Sequence, residues 1–150
     1  MITELNISDE TLARETLRVS LAAYTVEADL IGYSQIPPLR ETLKDLMAGT
    51  GRFYGSYRDN KLVAVIEINE ENSEKWISRL VVDPGYFHQG IATQLIRYCQ
   101  QRYSSLWVGT AEQNHPAISL YQKQGFRYAA IKTVGTPPIN WVSYSWRAAS

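Results

Sequence analysis

The stretch KLVAVIEINE puts Leu62, Ala64, Ile66 and Ile68 on one face of an extended strand, and Val63, Val65 and Glu67 on the other. Side chains alternate across a strand, so a sheet wetted on one side shows a polar residue at every second position. Here both faces are mostly apolar. Such a strand belongs in the middle of a sheet, with a layer of structure over each face. It is also the second arm of a hairpin. RFYGSYR precedes it, and Asp59 and Asn60 between the arms tolerate the left-handed backbone of a tight turn.

The rest of the chain supplies the layers. ITELNI reads as a short first strand. SDETLARETLRVSLAAYTVEA is rich in helix formers, and Ser8 or Asp9 can cap it by accepting free backbone N–H groups. SQIPP breaks that helix. PPLRETLKDLMAG restarts as a second one, with Pro38 in the first turn and Gly49 as its stop. KWISRLVVD is another two-faced apolar strand. From Gly90 the period changes: Ile91, Leu95, Ile96 and Cys99 form one helical stripe. SLWVGT is a strand. NHPAISLYQKQG is a helix, with Pro116 near its start and Gly125 past its end. FRYAAIKTV and NWVSYSWRA close the chain as strands joined by GTPPI. The order βααβββαβαββ predicts a mixed α/β sheet in three layers. A length of 150 residues suits a single domain, 1–150.

Charge narrows the function classes. Lys plus Arg equals Asp plus Glu, 15 against 15, which argues against a dedicated nucleic-acid or membrane-surface protein. The single cysteine, Cys99, cannot form an internal disulfide, and with two histidines it makes a poor basis for a metal site. The opening MITELNISDE has neither a basic segment nor an apolar run, so the expected location is cytoplasmic.

The stretch PGYFHQGIATQ carries the chemistry. A strand feeds a loop and the loop feeds a helix, whose first N–H groups have no internal partner and whose dipole is positive at that end. Gly90 lets a ligand approach the backbone, and Ala92 is nearly as small. Such a nest of donors can bind a pyrophosphate, although an ordinary strand-to-helix turn has the same outline. It is neither a Walker loop nor G-x-G-x-x-G. Further on, Tyr121 shares a helical face with Ala117 and Gln124. A phenol there can give a proton to a leaving group held by the loop, or simply pack in the core.

With both segments in view, the chain resembles the GNAT N-acetyltransferase superfamily. LVVDPGYFHQGIATQLI is similar to its acetyl-CoA-binding motif, and NHPAISLYQKQGF to its next motif, Asn-x-x-Ala-x-x-x-Tyr-x-x-x-Gly-Phe. The resemblance implies a mostly antiparallel mixed sheet with helices on both faces, the acyl-CoA N-acyltransferase fold. It implies transfer of an acetyl group from acetyl-CoA to a primary amine, without a metal. The backbone of Leu80, Val81 and Val82 would pair with pantetheine. The N–H groups of His88, Gln89, Gly90, Ile91, Ala92 and Thr93 would hold the pyrophosphate. Phe87 stands where the family usually has Arg or Gln, which removes a polar side chain and leaves the backbone intact. Asn114 and Ala117 would lie along the pantetheine arm, with Asn114 open to a capping role as well. Tyr121 would be the general acid.

The general base is less sharply drawn. Glu67 interrupts an apolar face, and burial there would raise its pKa. A carboxylate at the wet end of a strand is the other reading. Tyr24, Tyr33 and Trp141 could line an acceptor pocket, and Glu27 and Asp29 could attract a cationic amine; all five fit surface or packing roles equally well. The acceptor itself, a small molecule or a peptide amine, stays open. So does a homodimer through the aromatic final strand. The rival class is a non-catalytic acyl-CoA-binding or interaction module on the same fold. Cys99, on the apolar stripe, is read as core packing.

Overall fold

The computed structural model describes residues 1–32, 37–135 and 138–149. Its sheet comprises β1 (Ile2–Leu5), β2 (Arg52–Arg58), β3 (Lys61–Glu71), β4 (Glu74–Val82), β5 (Ser105–Ala111), β6 (Arg127–Val134) and β7 (Ile139–Arg147). The seven strands lie in the order β1-β2-β3-β4-β5-β7-β6, and only β4 and β5 run parallel. As the two-faced pattern requires, β3 is interior and buried from Leu62 to Ile68.

The helices α1 (Glu10–Ile31) and α2 (Leu43–Ala48) cover one face, and α3 (Ile91–Gln100) and α4 (His115–Lys123) the other. One core joins Val63, Ala64 and Ile66 to Ile91, Leu95, Ile96 and Cys99. The other joins Leu62, Val65 and Val81 to Val19, Leu46 and Phe53. The face assignment within β3 therefore needs one correction. Leu62 packs with Val65, and Val63 packs with Ala64 and Ile66. The cause is a bulge: Ser56 of β2 faces Ala64 while the next residue, Tyr57, faces Leu62. The extra residue, Val63, shifts the alternation by one.

Local chemistry sets the helix ends. Asp9 caps α1, accepting from the N–H groups of Thr11 and Leu12 at 2.9 and 3.2 Å. Gly32, left-handed at φ 70°, stops it before the SQIPP segment. The single second helix expected from Pro37 onward is divided. Pro37–Arg40 is a 3-10 turn, and α2 restarts where Thr42 and Asp45 cap each other reciprocally. In the final strand Tyr144 is buried and Trp146 packs on Phe126, so both complete the core. Tyr33, half of QIPP and part of GTPP lie outside the described residues.

Candidate functional site

The parallel pair β4–β5 is brief. Its register holds only Trp76 opposite Trp107 and Ile77 opposite Val108. At the next residue β4 bulges: Glu67 of β3 faces Arg79, whereas Ile68 faces Ile77, which leaves Ser78 as the extra residue. A bulge bends its strand and ends the ladder locally. Beyond it β4 stays with β3, where Leu80, Val81 and Val82 face Ile66, Val65 and Ala64. Meanwhile Gly109 to Ala111 of β5 pair only with β7. The two central strands thus part at the residues expected to meet pantetheine, and the edge of β4 facing β5 is left without a strand. Trp141 of β7 packs over Gly109, where a Cβ would run into its indole ring.

At the open end of β4 the chain enters the PGYFHQG loop. Asp83 anchors it, accepting from the Gly85 N–H at 2.9 Å and from Arg18 at 3.1 Å. Arg18 also donates to the Leu62 carbonyl at 2.9 Å, which ties loop, β3 and α1 together. His88 and Gly90 are both left-handed, at φ 63° and 74°. That alternation folds the backbone into a concave nest and brings α3 in with no side-chain cap. The first helical bond is Gln94 N–H to the Gly90 carbonyl at 3.1 Å. Among the described residues, nothing accepts from the six successive N–H groups of His88 through Thr93. A Cβ on Gly90 would meet nothing within 4 Å, so the space beside Gly90 is open. Phe87 and His88 stand exposed at the rim, their rings edge to face.

On α4, Asn114 and Tyr121 are seven residues apart, about two turns, and so lie on one face. Helical side chains lean toward the N-terminus, which carries the phenol back toward Asn114. Tyr121 is buried, packs on Phe126, and has its pKa raised by burial and then by the charge of Glu27. It therefore holds its proton. Asn114 is buried too. Its Oδ1 accepts from the Ala117 N–H at 3.4 Å, while its amide donates to Thr110 at 3.2 Å and to Glu27 Oε1 at 3.3 Å. It does act as the helix cap. Ala117 packs half-buried against the core under α4.

Glu67 is nearly buried, with both oxygens engaged. Oε1 accepts from Arg79 Nε at 3.0 Å and Oε2 from Asn69 at 2.9 Å. Arg79 also grips Glu41 with two nitrogens, at 2.8 and 2.6 Å, and donates to Ser20 at 2.8 Å. Asn69 in turn bonds the bulged Ser78. The sequence reading missed Arg79, Glu41 and Ser78. One signal was there: a charge in an otherwise apolar strand needs a buried partner.

An apolar cluster joins Ala28, Ile31 and Ala111, with Tyr24, Leu39, Ile139 and Trp141 packed against it. Tyr24 and Trp141 do come together there. Glu27 lies half-buried beside it, whereas Asp29 faces solvent. Burial raises the pKa of Glu27. Cys99 is fully enclosed, its thiol pushed up to about 12 by burial.

Known proteins share this framework. A ribosomal-protein-S18-alanine N-acetyltransferase from Escherichia coli superposes with a TM-score of 0.75 at 17% identity, over 98% of this chain and 92% of that one. A PaiA N-acetyltransferase from Thermoplasma acidophilum, solved in complex with coenzyme A, gives 0.75 at 19% identity over 99% and 98%. These likenesses establish the fold. In sequence, the UPF0157 protein YqkA of Bacillus subtilis (strain 168) is 39% identical over 132 residues, which is 86% of this chain; the match spans only 38% of YqkA. The profile of the acetyltransferase (GNAT) family matches residues 16–126, from the middle of α1 through α4 to Phe126, and so takes in the opened strands, the nest and the Tyr121 helix. The chain belongs to the acetyltransferase (GNAT) family.

Proposed function

We propose that the chain transfers the acetyl group of acetyl-CoA to a primary amine by direct attack on the thioester. The observation that carries this reading is the run of six N–H groups, His88 to Thr93, that find no acceptor among the described residues, beside the gap between β4 and β5. An unpaired donor run at a helix start attracts a pyrophosphate, and an unpaired strand edge attracts an extended amide-bearing arm. Acetyl-CoA has both, at opposite ends of one molecule.

In this reading the pyrophosphate sits on the nest, and pantetheine lies along Leu80, Val81 and Val82. The thioester then falls near the Ser78 bulge. The amine attacks the carbonyl carbon, a C–N bond forms, and the C–S bond breaks. Backbone N–H groups freed at the bulge face the developing oxyanion. Tyr121 gives its proton to the departing sulfur and recovers one from the nitrogen of the adduct. Its burial keeps the phenol protonated until then. Phe87 contributes only apolar surface at the rim.

The test is thermal unfolding with and without acetyl-CoA, followed by thiol release with a panel of amines. Ligand at ~100 times its dissociation constant adds about 2.7 kcal/mol. In a domain of this size that raises the midpoint by roughly 5–10 °C. No shift in a folded protein defeats the reading. A shift without thiol release from any amine leaves an acyl-CoA-binding module.

A further inference from the structure

We propose that Glu27, presented by α1 and held by Asn114, is the group that takes the proton from the acceptor's ammonium. The inference rests on amine acetylation being the reaction. An alkylamine is protonated at neutral pH and has no lone pair to attack with until that proton leaves.

Two carboxylates stand near the opened strands, and their surroundings differ. Glu67 is occupied: Arg79 holds one oxygen and Asn69 the other. Among the described residues, Glu27 has one partner, the Asn114 amide on Oε1. Among the described residues, no cation lies within ion-pair distance of it, and Oε2 has no hydrogen-bond donor. A half-buried carboxylate without a counter-ion is costly, and it gains from either a cation or a proton. An ammonium arriving at Oε2 supplies first the one and then the other. After the transfer both groups are neutral, which the apolar wall of Trp141, Tyr24 and Ile139 favours.

The placement fits the geometry. Asn114 connects Glu27 to Thr110 in the splayed part of β5 and starts the helix that carries Tyr121. Base and acid thus reach the gap from opposite sides, Glu27 from α1 and Tyr121 from α4. The titratable groups that sense the Glu27 charge are Tyr24 on its own helix and Tyr121 on α4. The Arg79, Glu41 and Glu67 group lies beyond Tyr24 and acts on that phenol. The raised pKa of Glu27 brings it closer to the pH at which a general base works best.

The proton balance closes. The ammonium gives one proton to Glu27, which releases it to solvent. The amine nitrogen gives its second to Tyr121, replacing the one passed to sulfur. The products are an amide, CoA thiol and one proton.

The experiment measures thiol release from acetyl-CoA for wild type, Glu27→Gln and Glu27→Asp with an alkylamine, an arylalkylamine, an aminoglycoside and a lysine peptide. Glu27→Gln keeps the oxygen that Asn114 contacts and removes the basicity. It is expected to lose ~10²–10⁴-fold in kcat and the acid limb of the pH profile, while acetyl-CoA affinity by calorimetry is unchanged. Glu27→Asp restores part of the rate with the limb. A Glu27→Gln enzyme with wild-type rate and limb overturns the assignment while leaving amine acetylation standing. Wild-type protein that binds acetyl-CoA and acetylates none of the amines overturns both.

Discussion

Ile77 and Val108 are the last residues at which the two central strands meet, and the residue after Ile77 is the one that bulges. The bulge and the gap are one feature: β4 turns toward β3 and away from β5. Both strands keep their outer partners, so the opening disturbs neither half of the sheet. Gly90 opens α3 and Tyr121 lies on α4, and substitutions at them are expected to separate binding from chemistry.

Tyr121→Phe removes the proton and keeps the ring on Phe126. Turnover is expected to fall by ~10²–10⁴, the usual worth of a positioned acid. Affinity for acetyl-CoA and the unfolding midpoint should change little. Steady-state thiol release beside titration calorimetry checks this, and unchanged turnover would remove the phenol from the mechanism.

Gly90 separates backbone strain from ligand contact. At φ 74° any L side chain is strained, by ~1–2 kcal/mol, and Asn tolerates the region best. The fold itself leaves the Cβ space empty. Gly90→Asn should therefore fold nearly as well as wild type and bind CoA much more weakly. Gly90→Asp should lose binding altogether, through charge conflict with the pyrophosphate. If calorimetry finds wild-type affinity in both, the phosphates lie elsewhere.

The sequence reveals the framework because local patterns encode it. The two-faced run of β3, the stripe from Ile91 to Cys99 and the Pro116–Gly125 bracketing of α4 are each visible within about three turns. The nest is visible for the same reason. The charged interior is not. Arg79 meets Glu67, Glu41 and Ser20 across 12, 38 and 59 residues, and Asn114 meets Glu27 across 87. No spacing rule connects such partners; only the folded sheet does. The Val63 bulge was hidden for a related reason, since an extra residue in an all-apolar strand leaves the pattern apolar.

Arg79 bears on stability. Burial works against its charge, but the hydrogen bonds to Glu41 and the surrounding negative charges outweigh that and raise its pKa above the ordinary value. Arg79→Met strands two carboxylates, Glu67 and Glu41, in a poorly hydrated place. Breaking a buried pair from one side costs ~3–5 kcal/mol. The midpoint should drop by roughly 10 °C in a chain of this length. Replacing Glu67 and Glu41 by Gln in the same variant should recover much of the loss. A drop within the ~0–1 kcal/mol of a surface pair would mean that solvent already screens the cluster.

Asp83 gives the anchoring loop a pH dependence. The Gly85 N–H, followed by Arg18 and Lys61, holds its carboxyl below the ordinary carboxylate range in the folded chain. In the unfolded chain the group returns to about 3.9. Between the folded value and about 3.9 the unfolded state binds more protons, so stability rises with pH across that window. The contribution is complete above about pH 5 and disappears as pH falls through the folded value. Asp83→Asn cannot titrate. Its melting temperature should start lower than wild type near neutrality and fall less between about pH 5 and pH 3. Melting curves of both proteins across that range decide the matter. Parallel curves would show that the Gly85 and Arg18 contacts give the folded state no advantage over water at this site, and that the loop is held instead by backbone bonds such as Asp83 N–H to the Val63 carbonyl.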